Sequence, residues 1–317
     1  MSVVLPQLLR LGEWAAWAGW LAALFAVAGW IVLFGSGGQS AKPRPWVLDH
    51  PRVARFMTYR TSWNSVTGLP LTMLLLVSGY FLIVYTTGIL AAPTHGEVVR
   101  FDRHVAAALA ASRTPWLVDV FGVVTAFGNW AVVFTLAAAV SILLWLRGRS
   151  NCVAGLWIAI AGNQVTVTLL KALFRRARPE LAFFTEASYS FPSGHSAISA
   201  AFFGLLVHVV IRERIFPSGP SVLTGGVAIV LVCFSRLILG EHYLTDVLSG
   251  ALVGSFWAVI GIWCMDRLAT LRTDPPATLL RQAVQVAVVV VAVVALWFVA
   301  ANYRQTLVVQ PPAVVSP

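Results

Sequence analysis

Long apolar runs constrain this chain before anything else does. Several stretches of about 20 residues are almost free of charge, enough to cross a hydrocarbon core of roughly 30 Å as helix. Eight such runs fall at roughly 11–35, 65–91, 117–146, 152–174, 194–211, 219–240, 243–265 and 282–301. Across the 317 residues, 59% are hydrophobic and 11% charged. A soluble protein of this size needs more charge to cover its surface. The sequence therefore predicts an all-α, polytopic membrane helical bundle. Glycines inside the runs, among them Gly155, Gly162, Gly204, Gly250 and Gly254, predict close helix–helix approach.

The net charge of +10 would suggest nucleic acid in a soluble protein. In a membrane chain it reads instead as cytoplasmic loops and an anionic substrate, with no nucleic-acid partner. Of the 22 Lys and Arg residues, twelve lie on one side of an eight-span threading, in the segments 36–64, 147–149, 212–214 and 267–281. Five of the other ten belong to or adjoin the motifs described next. The richer side is expected in the cytoplasm, which sets both termini and the motifs toward the periplasm or exterior of a bacterial plasma membrane. The first run, near Leu11–Phe34, is too long for a signal-peptide core and reads as a retained span. The stretch 101–112 reads as a short amphipathic helix at the membrane interface. Cys152, Cys233 and Cys264 show no ligand or pairing pattern, so neither zinc nor a disulfide framework is expected.

Three short segments carry the chemistry: Lys171-x6-Arg178-Pro179, then Phe191-Pro192-Ser193-Gly194-His195, then Ser235-Arg236-x5-His242-x3-Asp246. In the threading above, all three fall on one face of the membrane. Phosphoryl transfer needs cations around the non-bridging oxygens, an in-line nucleophile and a proton for the leaving group. Arg178 and Arg236 offer forked donors and Lys171 a point charge. Ser193-Gly194 opens a span, where free N–H groups and the positive end of the helix dipole attract an anion. His242 and Asp246 stand four apart on one helical face, so the carboxylate can fix the imidazole tautomer. Taken singly, each has an ordinary reading: snorkelling cations, a Pro-Ser helix start, a structural His–Asp pair. Arg175 and Arg176 are candidates for a second phosphate, with a basic loop near lipid headgroups as the plain alternative.

Together the three segments resemble the type 2 phosphatidic acid phosphatase (PAP2) superfamily, whose tripartite signature is complete between Lys171 and Asp246. The resemblance implies a six-helix core over about 65–266, flanked by an N-terminal span and basic loop in 1–64 and a C-terminal span and tail in 267–317. It implies that His242 is the nucleophile of a phosphohistidine intermediate, that Asp246 orients it, and that His195 protonates the leaving group. Lys171, Arg178, Ser193, Gly194 and Arg236 would bind the phosphate. It also implies catalysis with no metal and no cofactor. Vanadium-dependent haloperoxidases share the signature, but they are soluble. The expected activity is hydrolysis of a lipid monophosphate or diphosphate taken from the bilayer: undecaprenyl diphosphate, phosphatidate, phosphatidylglycerol phosphate or a lipid A phosphate. Phosphotransfer to another lipid, such as lipid A, is the enzymatic alternative. A transporter or non-catalytic scaffold is the alternative of a different class.

Overall fold

A computed structural model describes residues 97–184, 186, 188–269 and 279–306. These belong to one compact unit, Leu75–Pro317; the other, Met1–Leu74, lies outside the described residues. So do the spans expected at 11–35 and 65–91 and the basic segment between them.

Eight α-helices and no strand make up the described residues. They are α1 (Glu97–Ala111), α2 (Pro115–Val124), α3 (Trp130–Leu146), α4 (Ser150–Phe174), α5 (Gly194–Arg212), α6 (Ser218–Ile238), α7 (Leu244–Arg267) and α8 (Leu279–Thr306). By length and composition α4, α5, α6 and α7 suffice to cross a membrane. Each matches an expected span to within a few residues.

The run expected as one span over 117–146 is divided. A 3-10 turn, Thr125–Gly128, follows α2, and Asn129 then leaves helical geometry and caps α3 by accepting a hydrogen bond from the Ala131 N–H at 2.9 Å. An Asn side chain competes with the helical ladder in this way, so Gly128-Asn129 is a local break inside an apolar run. The break serves the interior. A Cβ on Gly128 would press on Val232 and on His195, which opens α5. Ahead of α2 the chain turns by 116° into α1. Val99 and Asp102, one turn apart, face inward from α1, while Arg100, Arg103 and His104 are exposed.

The core is a seam of α3, α4, α5 and α7. Val133, Ala137, Leu156, Ala159, Ile160, Phe202, Leu205 and Met265 are all but fully buried in it. Helix α7 packs most extensively on α5 and α4. Small residues make that possible: a Cβ at Gly254 would collide with the Ala197 carbonyl, and one at Gly250 with the Ser193 carbonyl. Gly155 and Gly162 are similarly crowded, by Met265 and Trp257, whereas Gly204 has room for a methyl group. With these helices antiparallel in sequence, the C-terminus of α4, the N-terminus of α5, the C-terminus of α6 and the N-terminus of α7 all meet at one end. Arg149 pairs with Glu213 at 2.6 Å, and Arg212 with Asp266, near the opposite helix ends.

Candidate active site

The loop 239–243 carries the central histidine. Gly240 takes φ +70°, which a residue with a Cβ adopts only with strain, and a Cβ there would also run into Arg113. Arg113 closes this corner by donating to the carbonyls of Ile238 and Leu181, both at 2.6 Å. The chain then enters α7 through a capping box. The Asp246 carboxylate accepts the Tyr243 N–H at 3.0 Å, from the first turn where a negative charge also suits the helix dipole.

His242 is 2% exposed. Its Nδ1 faces Asp246 Oδ2 at 3.7 Å, and the Ser190 hydroxyl sits between them, 3.4 Å from Nδ1 and donating to Oδ2 at 2.5 Å. Its Nε2 points the other way, 3.3 Å from Arg178 Nη1. Burial pushes the imidazole pKa down to about 3, with Asp246 opposing the shift. A neutral ring with a proton on Nδ1 and a lone pair on Nε2 is the form a nucleophile needs.

Around Nε2 the cations gather. Arg178 donates to the Glu241 carbonyl at 2.8 Å, the Ser188 carbonyl at 2.8 Å and the Ser188 hydroxyl at 2.9 Å. Arg236, 1% exposed, donates to Thr125 Oγ1 at 2.8 Å, and its Nε has no hydrogen-bond partner among the described residues. Lys171 Nζ donates to the Tyr189 carbonyl and lies 3.5 Å from the Ser188 hydroxyl. One carboxylate bridges the two guanidinium groups: Glu186 Oε2 accepts from Arg178 at 2.5 Å and Oε1 from Arg236 at 2.8 Å. Burial works against that charge, yet Arg236 and Arg178 hold it well below the usual carboxylate range. The two forks therefore converge on one space of the size and sign of an oxyanion. A second carboxylate, Glu241, is buried beside the same forks, 3.5 Å from Arg178 and 3.9 Å from Arg236, and accepts the Phe184 N–H at 2.9 Å.

The second segment is tied to the third through the backbone. The Ser193 N–H donates to the Asp246 carbonyl at 2.9 Å. Ser193 is the N-cap of α5, and its hydroxyl accepts from the hydroxyl of Ser196 at 3.0 Å. Gly194 has room for a Cβ, which would stand 3.8 Å from Val167. His195 follows, within electrostatic reach of Arg236, Glu186, His242 and Arg178.

Lys171, Arg178, Ser193, Gly194, His195, Arg236, His242 and Asp246 are thus brought to one end of the bundle. The pair considered for a second phosphate separates. Arg175 is exposed in the left-handed cap of α4, with φ 45°, and its Nε donates back to the Ala172 carbonyl. Arg176 turns inward and donates to Asp246 Oδ1 at 2.5 Å and Asp102 Oδ2 at 2.7 Å. Ser190, Glu186 and Asp102 are participants that motif reading did not assign. Each is a lone polar residue in a loop or helix, with no fixed spacing to mark it.

A bundle of apolar helices whose ends converge on a cationic oxyanion seat beside a neutral histidine defines a class, the membrane-embedded phosphohydrolases. Residues 152–269 match the PAP2 superfamily, and over that segment the chain is similar to membrane phosphatases of this type. Phosphatidylglycerophosphatase B of Bacillus subtilis is 29% identical over 171 residues, covering 52% of this chain and 84% of the relative. Lipid A 1-phosphatase of Rhizobium johnstonii is 26% identical over 185 residues, covering 49% and 70%. The crystal structure of a transmembrane PAP2 type phosphatidylglycerolphosphate phosphatase from Bacillus subtilis is similar at a TM-score of 0.52 and 27% identity, covering 62% of this chain and 96% of that one.

Proposed function

We propose that this chain hydrolyses a lipid phosphate monoester at the outer face of a bacterial plasma membrane, through a phosphohistidine at His242. The observation that carries the reading is the bridge of Glu186 across Arg178 and Arg236, 3.3 Å from Arg178 to His242 Nε2. An anion seated on both forks stands directly beside the nucleophilic nitrogen. The phosphate would take the forks from Glu186, and Lys171 and the α5 N-terminus at Ser193-Gly194 would receive its remaining oxygens.

His242 Nε2 attacks phosphorus, the bond to the lipid oxygen breaks, and His195 gives that oxygen its proton. Water then attacks the phosphohistidine with His195 taking a proton back, and phosphate leaves. Asp246 stabilises the imidazole cation of the intermediate. The positive charge that metals supply in other phosphatases comes here from three side chains, Lys171, Arg178 and Arg236.

The inward turn of Arg176 and the outward turn of Arg175 favour one phosphate over two. The relatives named for phosphatidylglycerophosphate and for lipid A 1-phosphate support a phospholipid or glycolipid monophosphate ahead of undecaprenyl diphosphate. The test is phosphate release by purified protein in detergent with EDTA present, across lipid mono- and diphosphates, with and without a lipid acceptor. Release from monophosphates that disappears in His242→Ala is the expected result. Release only with an acceptor present would replace hydrolysis by phosphotransfer, and release that survives in His242→Ala would remove the nucleophile.

A further inference from the structure

Behind the nucleophile runs a charged chain that the three motifs do not contain. Asp246 spends Oδ2 on Ser190 and the Tyr243 N–H, and Oδ1 on Arg176. The same Arg176 nitrogen reaches Thr245 Oγ1 at 2.9 Å, and the other reaches Asp102. Asp102 also accepts the Thr245 N–H at 3.2 Å and the Thr245 hydroxyl. The guanidinium lies 4.2 Å from the Tyr243 ring centroid, so its plane is held as well as its nitrogens. Asp102 is 0% exposed and comes from α1, a helix whose outer face carries Arg100, Arg103 and His104. Burying a carboxylate costs several kcal/mol, which the Arg176 ion pair and the two Thr245 hydrogen bonds offset here.

We infer that Arg176 and Asp102 are positioning residues for the His242–Asp246 pair, resting on the reading of His242 as nucleophile. Arg176 clamps Oδ1 and so aims Oδ2 at Nδ1. Alone, however, the guanidinium would cancel the negative charge that Asp246 presents to the imidazole. Asp102 on its far side restores it: two carboxylates around one guanidinium leave a net charge of −1 behind the ring, available when the phosphohistidine forms. Their hydrogen bonds to Asp246, Thr245 and each other lie on the Nδ1 side of His242, and the seat held by Glu186 lies on the Nε2 side. Helix α1, expected at the membrane interface, thereby reaches the reacting histidine through two ion pairs.

The test compares Asp102→Asn, Arg176→Gln and Arg176→Lys in the purified full chain, with phosphate release from a lipid monophosphate and inhibition by vanadate as readouts. Asp102→Asn and Arg176→Gln should lower kcat by about 10- to 100-fold, with KM and the vanadate inhibition constant changed by less than about twofold; Arg176→Lys should recover part of the loss. Because the chain ends at Asp246, Asp102→Asn in an Asp246→Asn background should cost less than about threefold. A structural defect would instead multiply through both backgrounds, and that result would overturn the inference. So would wild-type kcat in Asp102→Asn. Arg176→Gln weakening vanadate as much as kcat would put the guanidinium on substrate. A wild type releasing phosphate from no lipid would refute the phosphatase reading itself, and this inference with it.

Discussion

Lys171, Arg178, Arg236, His242 and Asp246, the residues proposed to bind phosphate and react, each contact a group outside the three motifs. Arg236 illustrates it. Its Nη1 is held by Thr125 and its Nη2 by Glu186, inside a wall where 1% of the residue is exposed. Lysine could keep the charge but would leave the Thr125 hydroxyl or the anion without its donor. Arg236→Lys should therefore reduce kcat/KM by about 10- to 100-fold, an apparent loss of about 1.5–3 kcal/mol. Steady-state kinetics with a lipid monophosphate checks this; a change below threefold would argue that one nitrogen suffices. His242 makes a second prediction. Its imidazole is held near pKa 3 by burial against 6.5 in the unfolded chain. Unfolded protein thus binds the extra proton first, and stability should fall as pH drops from about 6.5 toward 3, with no such contribution above 6.5. Thermal unfolding at pH 7.5 and 5 should show a drop for the wild type that is smaller in His242→Asn.

The helices show what a sequence discloses and what it withholds. Motif spacing is local, so the three segments could be read directly, and Lys171, Arg178, His195, Arg236, His242 and Asp246 converge as the spacing suggested. The apolar runs likewise located α4 to α7. The division at Gly128-Asn129 was hidden because hydropathy averages over a window in which one amide side chain counts for little, although Gly-Asn is itself a break signal. Asp102 was hidden for another reason. It sits among exposed charges on α1, and its partner Arg176 is 74 residues away, so periodicity alone assigns it to solvent. Glu186 carries no spacing at all. The glycines were readable as a set, and only the structure separates Gly250 and Gly254, which face carbonyls, from Gly204, which does not. Gly254→Ala should accordingly lower stability by about 1–3 kcal/mol through overpacking against Ala197, while Gly204→Ala should be near neutral. Unfolding of the two variants in detergent would separate them; equal behaviour would mean that α5 and α7 adjust freely.

For the molecule as a whole, the arrangement predicts an orientation. The site end carries the proposed seat for an anionic headgroup, and the other end carries Arg147, Arg149, Arg212 and Arg214. By the excess of basic loops, that other end is expected in the cytoplasm. With Cys152, Cys233 and Cys264 replaced, a cysteine at the exposed Glu180 should react with an impermeant maleimide in intact cells. One at Arg214 should react only after permeabilisation. The reverse pattern would turn the enzyme to face the cytoplasmic leaflet.

The hydrogen bond from the Ser193 N–H to the Asp246 carbonyl lies at the mouth of the tight α5–α7 contact. His195 and His242, the proposed acid and nucleophile, are therefore tied to the same seam that holds the bundle together. A site built this way should lose its geometry only together with the bundle. On heating, catalytic power should survive until the helices separate, and the curves for inactivation and for melting should superpose.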